Sequence, residues 1–363
     1  MSITERLFLG QVRHVEPALD DPRTLAARRQ ITRDFGALVP PFALHLPVPD
    51  ALCACWAIVR EPTWGRRVDR ATKEAVAAAV SATNACPYCV DAHTMVLHAL
   101  GERASAAAIA SGEMDDIADT DLRAMVSWAR ATRQPDAEIV RHRPFPDEHA
   151  PELIGIAVAF HYINRMVNIF APPSPFPVPA PKLKPIARRV ASPVFRTLLR
   201  REVRPGASLD LLPPAPLPDD LDWARTDPVI ADAFGRAAVA FDAVGRQALP
   251  DTVRQLVATR LSAWRGEDVG LSRGWVDNAI ETLPVADRPV GRLALLTALA
   301  SYQVDDQVLE DARMDPGRAG DAKLIAAASW ASFAAARRIG SWLDIAPRKA
   351  TDDREPPPIP RAS

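Results

Sequence analysis

The chain has 363 residues, 48% of them apolar and 25% charged, with a formal net charge of −1. That length and balance suit a soluble globular protein of two domains. They offer none of the basic excess that a nucleic-acid surface needs.

Aromatic residues are scarce, at 6%, and alanine is abundant, which favours closely packed helices over sheets. The first residues, Met1 to Arg6, lack a basic stretch followed by an apolar run, so no secretory signal is expected. No run of about 18 apolar residues is evident, so no membrane span is expected and a cytoplasmic location follows. In a reducing compartment, a Cys-x-x-Cys pair points to catalysis or metal binding rather than to a structural disulfide.

In chain order, apolar spacing of three and four predicts helices over 71–83, 87–100, 119–132, 150–169, 229–246, 250–264, 272–282, 287–301 and 321–343. The stretch Leu52 to Val59, which contains Cys53 and Cys55, also reads as buried helix. Gly101 after Leu100 marks a helix C-terminus. No strict alternation is long enough for a strand, so the fold class is all-α. Proline totals 35, about twice the usual share, and it clusters at Ala171–Pro181 and Leu212–Asp220. These runs predict poorly packed breaks. The expected organisation is a first lobe over 1–170, a Pro-rich linker over 171–220, a second lobe over 221–345 and a disordered tail over 346–363. Within the linker, Ile186, Val190, Val194 and Leu198 form an apolar stripe among basic residues. It reads as an amphipathic helix with a solvated basic face.

The lobes read as diverged copies. Phe160 to Phe170 matches Phe333 to Leu343 in pattern, Leu122–Trp128 matches Leu293–Leu299, and 71–83 matches 251–263. The second lobe has no cysteine or histidine. It would therefore keep the packing without the chemistry, standing in for a neighbouring subunit by covering an apolar face.

The chemistry concentrates in Glu74 and in Cys86-Pro87-Tyr88-Cys89-Val90-Asp91-Ala92-His93. Pro87 suits the first helical position, which makes Cys86 the N-cap and puts Cys89 in the first turn. Spacings of three and four place Cys86, Cys89 and His93 on one helical face. There the helix N-terminus favours a thiolate, and two sulfurs three residues apart can cycle between dithiol and disulfide. Glu74, in a small apolar helix, would act as a base with its pKa raised by burial, unless it is simply an exposed neighbour of Lys73. Four cysteines in two pairs would also suit Zn²⁺, although Pro87 favours a helix over a zinc knuckle. His161, among Tyr162, Asn164, Arg165 and Asn168, is either an accessory group or a helix–helix contact.

With these residues in place, the block from Lys73-Glu74-Ala75-Val76 through Ser81-Ala82-Thr83-Asn84 to Cys86–Thr94 resembles the AhpD-like alkylhydroperoxidases of the carboxymuconolactone decarboxylase superfamily. The match is specific over about 25 residues. The resemblance implies an all-helical fold of two tandem AhpD-like lobes, the second degenerate, assembled as a homo-oligomer without metal or haem. It implies a thiol-dependent peroxidase acting on a hydroperoxide substrate, with Cys89 peroxidatic, Cys86 resolving, and His93 and Glu74 forming a proton relay. The reductant would be a dithiol, which in the prototype is a lipoylated protein. Tyr88 departs from the best-studied type, which carries histidine there. Two other functions compete: a dithiol–disulfide oxidoreductase acting on a protein or lipoyl partner, and a non-redox relative of the lactone decarboxylase branch. The latter branch does not depend on a Cys-x-x-Cys pair.

Overall fold

The computed structural model describes residues 3–175, 203–313 and 317–344, and every regular element among them is helical. The first part comprises α1 (Ile3–Leu9), α2 (Leu25–Phe35), α3 (Pro40–Ala43), α4 (Pro49–Thr63), α5 (Arg70–Thr83), α6 (Pro87–Leu100), α7 (Arg103–Ser111), α8 (Thr120–Ala131), α9 (Glu138–Arg141) and α10 (Ala150–Phe170). The second comprises α11 (Pro228–Ala248), α12 (Asp251–Ala263), α13 (Gly274–Ile280), α14 (Arg288–Ala300), α15 (Asp306–Ala312) and α16 (Gly317–Leu343). Each predicted helix is present with ends shifted by a few residues, as fraying ends allow.

Two tandem lobes share one apolar core. Within the first, α4 packs on α10 and α5 on α8; within the second, α11 packs on α16 and α12 on α14. Across the interface α4 meets α11 and α10 meets α16. The α5–α8 and α12–α14 pairs repeat the correspondence read from the sequence. The second lobe thus covers apolar faces of α4 and α10 that would otherwise meet water.

Helix α10 is the axis of the molecule. The stretch Asp147–Phe170 is long and apolar enough to cross a membrane, yet 94% of its most apolar window is buried inside the protein. Its polar residues are all engaged, as buried polar groups must be. Glu152 accepts from the backbone N–H groups of Arg67 and Val68 at 2.8 and 3.1 Å and pairs with Lys73 at 2.5 Å. The Tyr162 hydroxyl lies 2.6 Å from His45 Nε2, and its ring packs at a tilt of 47° against Phe241 of the second lobe.

The basic amphipathic helix predicted around 182–204 falls almost wholly outside the described residues, as does the tail over 346–363. From residue 203 onward the expected loose packing does not hold. The carboxylate of Glu61 on α4 accepts from Gly206 N at 2.7 Å, Ser208 N at 3.2 Å and Ser208 Oγ at 2.5 Å. Arg60 Nη2 donates to the Arg204 carbonyl at 2.9 Å, while Arg60 itself pairs with Asp34 and Glu61. Proline content keeps an α-helix out of residues 203–218, which hold one short 3-10 turn at Leu209–Leu211, but it does not prevent a carboxylate from capturing the backbone. That capture is a tertiary event with no local sequence signature.

Candidate active site

The turn between α5 and α6 sets the thiols. Asn84 caps α5, Ala85 adopts φ 49°, and the backbone N–H groups of Ala85 and Cys86 donate to Ala82 O at 3.2 Å and Ser81 O at 2.9 Å. These two bonds define a Schellman motif, with alanine at the left-handed position where glycine is usual. Pro87 then opens α6 with Cys86 as its N-cap residue, as predicted, and Gly101 closes it at φ 108°. Cys89 falls in the first turn and His93 one turn further on.

Glu74 on α5 and His93 on α6 meet across the helix pair, with Nδ1 of the imidazole 2.6 Å from Oε2. The other carboxylate oxygen accepts from Arg70 Nε at 2.5 Å, one turn earlier on α5. Burial alone would raise the pKa of Glu74, but the charges and hydrogen bonds of Arg70 and His93 outweigh it and hold the carboxyl at about 2. The raised pKa expected from sequence is therefore corrected. Glu74 is a fixed carboxylate, and because it accepts, Nδ1 of His93 carries the proton and Nε2 is left as the basic nitrogen. Lys73 is also buried but faces the opposite way, to Glu152 and the Gly65 carbonyl. Glu74 is thus no exposed neighbour of it.

Cys86 and Cys89 are reduced, 1% and 3% exposed, and in hydrogen-bonding contact with each other. Burial pushes the Cys89 thiol well up, and the Cys86 contact pushes it further in the same direction. A hydrogen bond from Asn164 works against this. The expected depressed pKa is reversed, because desolvation outweighs the partial charge of one helix end. Tyr88 is buried beside both sulfurs, and its phenol is raised first by burial and then by those thiols.

A buried polar chain backs the turn. Asn164 Nδ2 donates to Ser81 Oγ at 2.9 Å, and Asn84 Nδ2 donates to Asn164 Oδ1 at 3.0 Å. Thr132 Oγ1 donates to Ala129 O at 2.7 Å, so it accepts from His161 Nε2 at 2.8 Å. His161 Nδ1 then accepts from Asn84 at 2.9 Å. His161 is fully buried, and burial lowers its pKa well below the usual imidazole value. It is a neutral helix-to-helix connector rather than a member of the Glu74 pair.

Of the four residues singled out from sequence, Glu74 lies on α5, Cys89 and His93 on α6, and Cys86 at the N-cap of α6; Glu74 touches His93, and Cys86 touches Cys89. Sequence reasoning missed Arg70 as the second partner of Glu74. The i,i+4 spacing carried that signal. It also missed Asn164 as a neighbour of Cys89, which no local pattern could show. Cys53 and Cys55 are buried within α4, and burial raises the Cys53 thiol to about 12.

The profile of the Carboxymuconolactone decarboxylase family matches residues 49–131, a segment running from α4 through α8. The alkyl hydroperoxide reductase Rv2159c of Mycobacterium tuberculosis is 38% identical over 341 residues, covering 93% of this chain and 96% of that protein. No solved structure matches the chain. The likeness to Rv2159c runs through both lobes, so the second lobe is part of what the two proteins share. Peroxidase-type activity is therefore present in the family by the name of that relative. By these likenesses the chain belongs to the carboxymuconolactone decarboxylase superfamily, among its AhpD-like members.

Proposed function

We propose that the protein is a thiol-dependent peroxidase that reduces hydroperoxides through a Cys86–Cys89 dithiol/disulfide cycle. The observation that carries this reading is the Arg70–Glu74–His93 relay lying across the helix pair that also bears two contacting thiols. The neutral dithiol needs a proton acceptor, and His93 Nε2, with its tautomer fixed by Glu74, supplies one. The Cys89 thiolate attacks one peroxide oxygen and the O–O bond breaks. The sulfur becomes a sulfenic acid, and the departing alkoxide takes the proton and leaves as an alcohol. The Cys86 thiol condenses with the sulfenic acid, releasing water and forming the disulfide. An external dithiol then attacks the disulfide and leaves with two fewer hydrogens, restoring both thiols.

The near-zero exposure of the sulfurs supports a small substrate and a site that opens locally to meet its reductant. The superfamily resemblance supports a lipoylated protein as that dithiol and a homo-oligomeric assembly; the cytoplasmic setting rests on the sequence reading alone. Turnover of tert-butyl hydroperoxide, compared with turnover of a lipoyl disulfide, tests the reading. Peroxide reduction that Cys89→Ser abolishes is expected. Disulfide exchange without peroxide turnover would instead favour a dithiol–disulfide oxidoreductase.

A further inference from the structure

A cavity of about 330 Å³ lies between the lobes, behind the turn that carries Cys86. Asn84 and Ala85 line it on one side with Arg133 and Arg165, and Leu271, Leu299 and Tyr302 come from the second lobe. Arg165 is only 5% exposed, yet no carboxylate among the described residues pairs with it. Its guanidinium donates to carbonyl oxygens alone, from Nε to Ala298 at 2.9 Å and from Nη1 to His161 at 2.5 Å. Arg133 Nη2 reaches Gly266 O at 3.0 Å and the rim residue Asp268 at 2.7 Å, while its Nε is buried with no hydrogen-bond partner.

Two cations therefore share one cavity with a single carboxylate, and the Asp268 side chain is 76% exposed. A buried charge is normally paired, and a buried donor normally bonded. Burial and the neighbouring Arg133 charge lower Arg165 to about 9, which still leaves Arg165 charged near neutrality. The opposite wall is apolar and reaches the surface: Leu271 is 93% and Tyr302 45% exposed. Cationic depth with an apolar mouth selects a monoanion with a hydrocarbon body. The rim carboxylate disfavours a more highly charged phosphate.

We propose that this inter-lobe cavity binds a small organic carboxylate, its head group between Arg133 and Arg165 and its short apolar chain against Leu271, Leu299 and Tyr302. The cysteine-free lobe thereby acquires a ligand-binding role, one that does not rest on the thiol chemistry.

Octanoate is the probe, titrated calorimetrically into the full chain, with 1-octanol and inorganic phosphate as parallel ligands. Saturable octanoate binding is expected, with neither control matching it. Arg133→Gln should weaken it by about tenfold or more, the loss of a charge-assisted hydrogen bond. Leu271→Ser, at a fully solvated position that leaves folding untouched, should weaken it roughly threefold. Absence of saturation up to ~10 mM octanoate would overturn the proposal. So would equal affinity for octanol or phosphate, or affinity unchanged in Leu271→Ser and in folded Arg133→Gln.

Discussion

Arg70 Nε donates to Glu74 Oε1 across 2.5 Å, on the side of the carboxylate away from His93. This contact decides which role Glu74 can play. A carboxyl held at about 2 cannot act as the base near neutrality; in the proposed cycle it fixes the orientation of the imidazole that takes the proton. Glu74→Gln should therefore lower the rate of peroxide reduction by about 10²–10⁴, the usual worth of positioned general acid–base catalysis. Arg70→Gln should cost less, because the carboxylate survives with a higher pKa. The pH–rate profile separates the two: the Arg70 variant should gain an acid limb nearer pH 4–5, the range of an ordinary carboxyl. A Glu74→Gln enzyme with unchanged peroxide kinetics would remove the relay from the mechanism.

Acid sensitivity follows from the buried histidines. Burial holds His45 down at about 3, and His161 also lies well below its ordinary value. Below about pH 6.5 the unfolded chain binds protons at these sites that the folded chain refuses, so stability falls as pH falls through the window from about 6.5 toward 3. Each histidine contributes a slope of up to about 1.4 kcal/mol per pH step. Glu74 adds a further loss, its contribution present above about pH 4.5 and disappearing toward pH 2. Urea unfolding at pH 7.5, 6.0 and 5.0 should show the first decline, and His45→Gln should flatten it. Level stability across that range would contradict the neutral buried assignment.

Much of the fold was legible because helices such as α5, α6 and α10 announce themselves through apolar spacing, through Pro87 at a first turn and through Gly101 at a last. Glu74, Cys86, Cys89 and His93 were legible because a helix pair fixes their separations. The remainder depends on tertiary contacts. Nothing around Cys89 in sequence signals that it is buried with Asn164 as a neighbour, so the helix end and a nearby imidazole suggested an ionised thiol. Likewise the proline-rich composition of the linker concealed the anchoring of Gly206 and Ser208 by Glu61, a partner 145 and 147 residues earlier that no local pattern can show.

The anchor itself is testable. Glu61→Ala removes an acceptor of three hydrogen bonds to Gly206 and Ser208 and leaves Arg60 with Asp34 as its one paired carboxylate among the described residues. The expected cost is about 2–4 kcal/mol, together with new protease cleavage near residues 203–210. Unaltered stability and cleavage would show that the segment is held by other means.

Ala85 occupies the left-handed corner of the Schellman turn at φ 49°, where a β-carbon costs about 1–2 kcal/mol. Ala85→Gly relieves that cost, less the extra freedom glycine gains when unfolded. A net stabilisation of up to about 1 kcal/mol is expected in chemical denaturation. Destabilisation would mean that the methyl group packs in a way that outweighs the backbone strain.

Intact mass with free-thiol counting, before and after one equivalent of hydroperoxide, bears most directly on the dithiol cycle. The wild-type chain should lose two hydrogens and, counted after denaturation, the free thiols at positions 86 and 89. Cys86→Ser should stop at a dimedone-reactive sulfenic acid on Cys89. An unchanged mass and thiol count after peroxide, or a sulfenic acid trapped on Cys86 instead, would contradict the account.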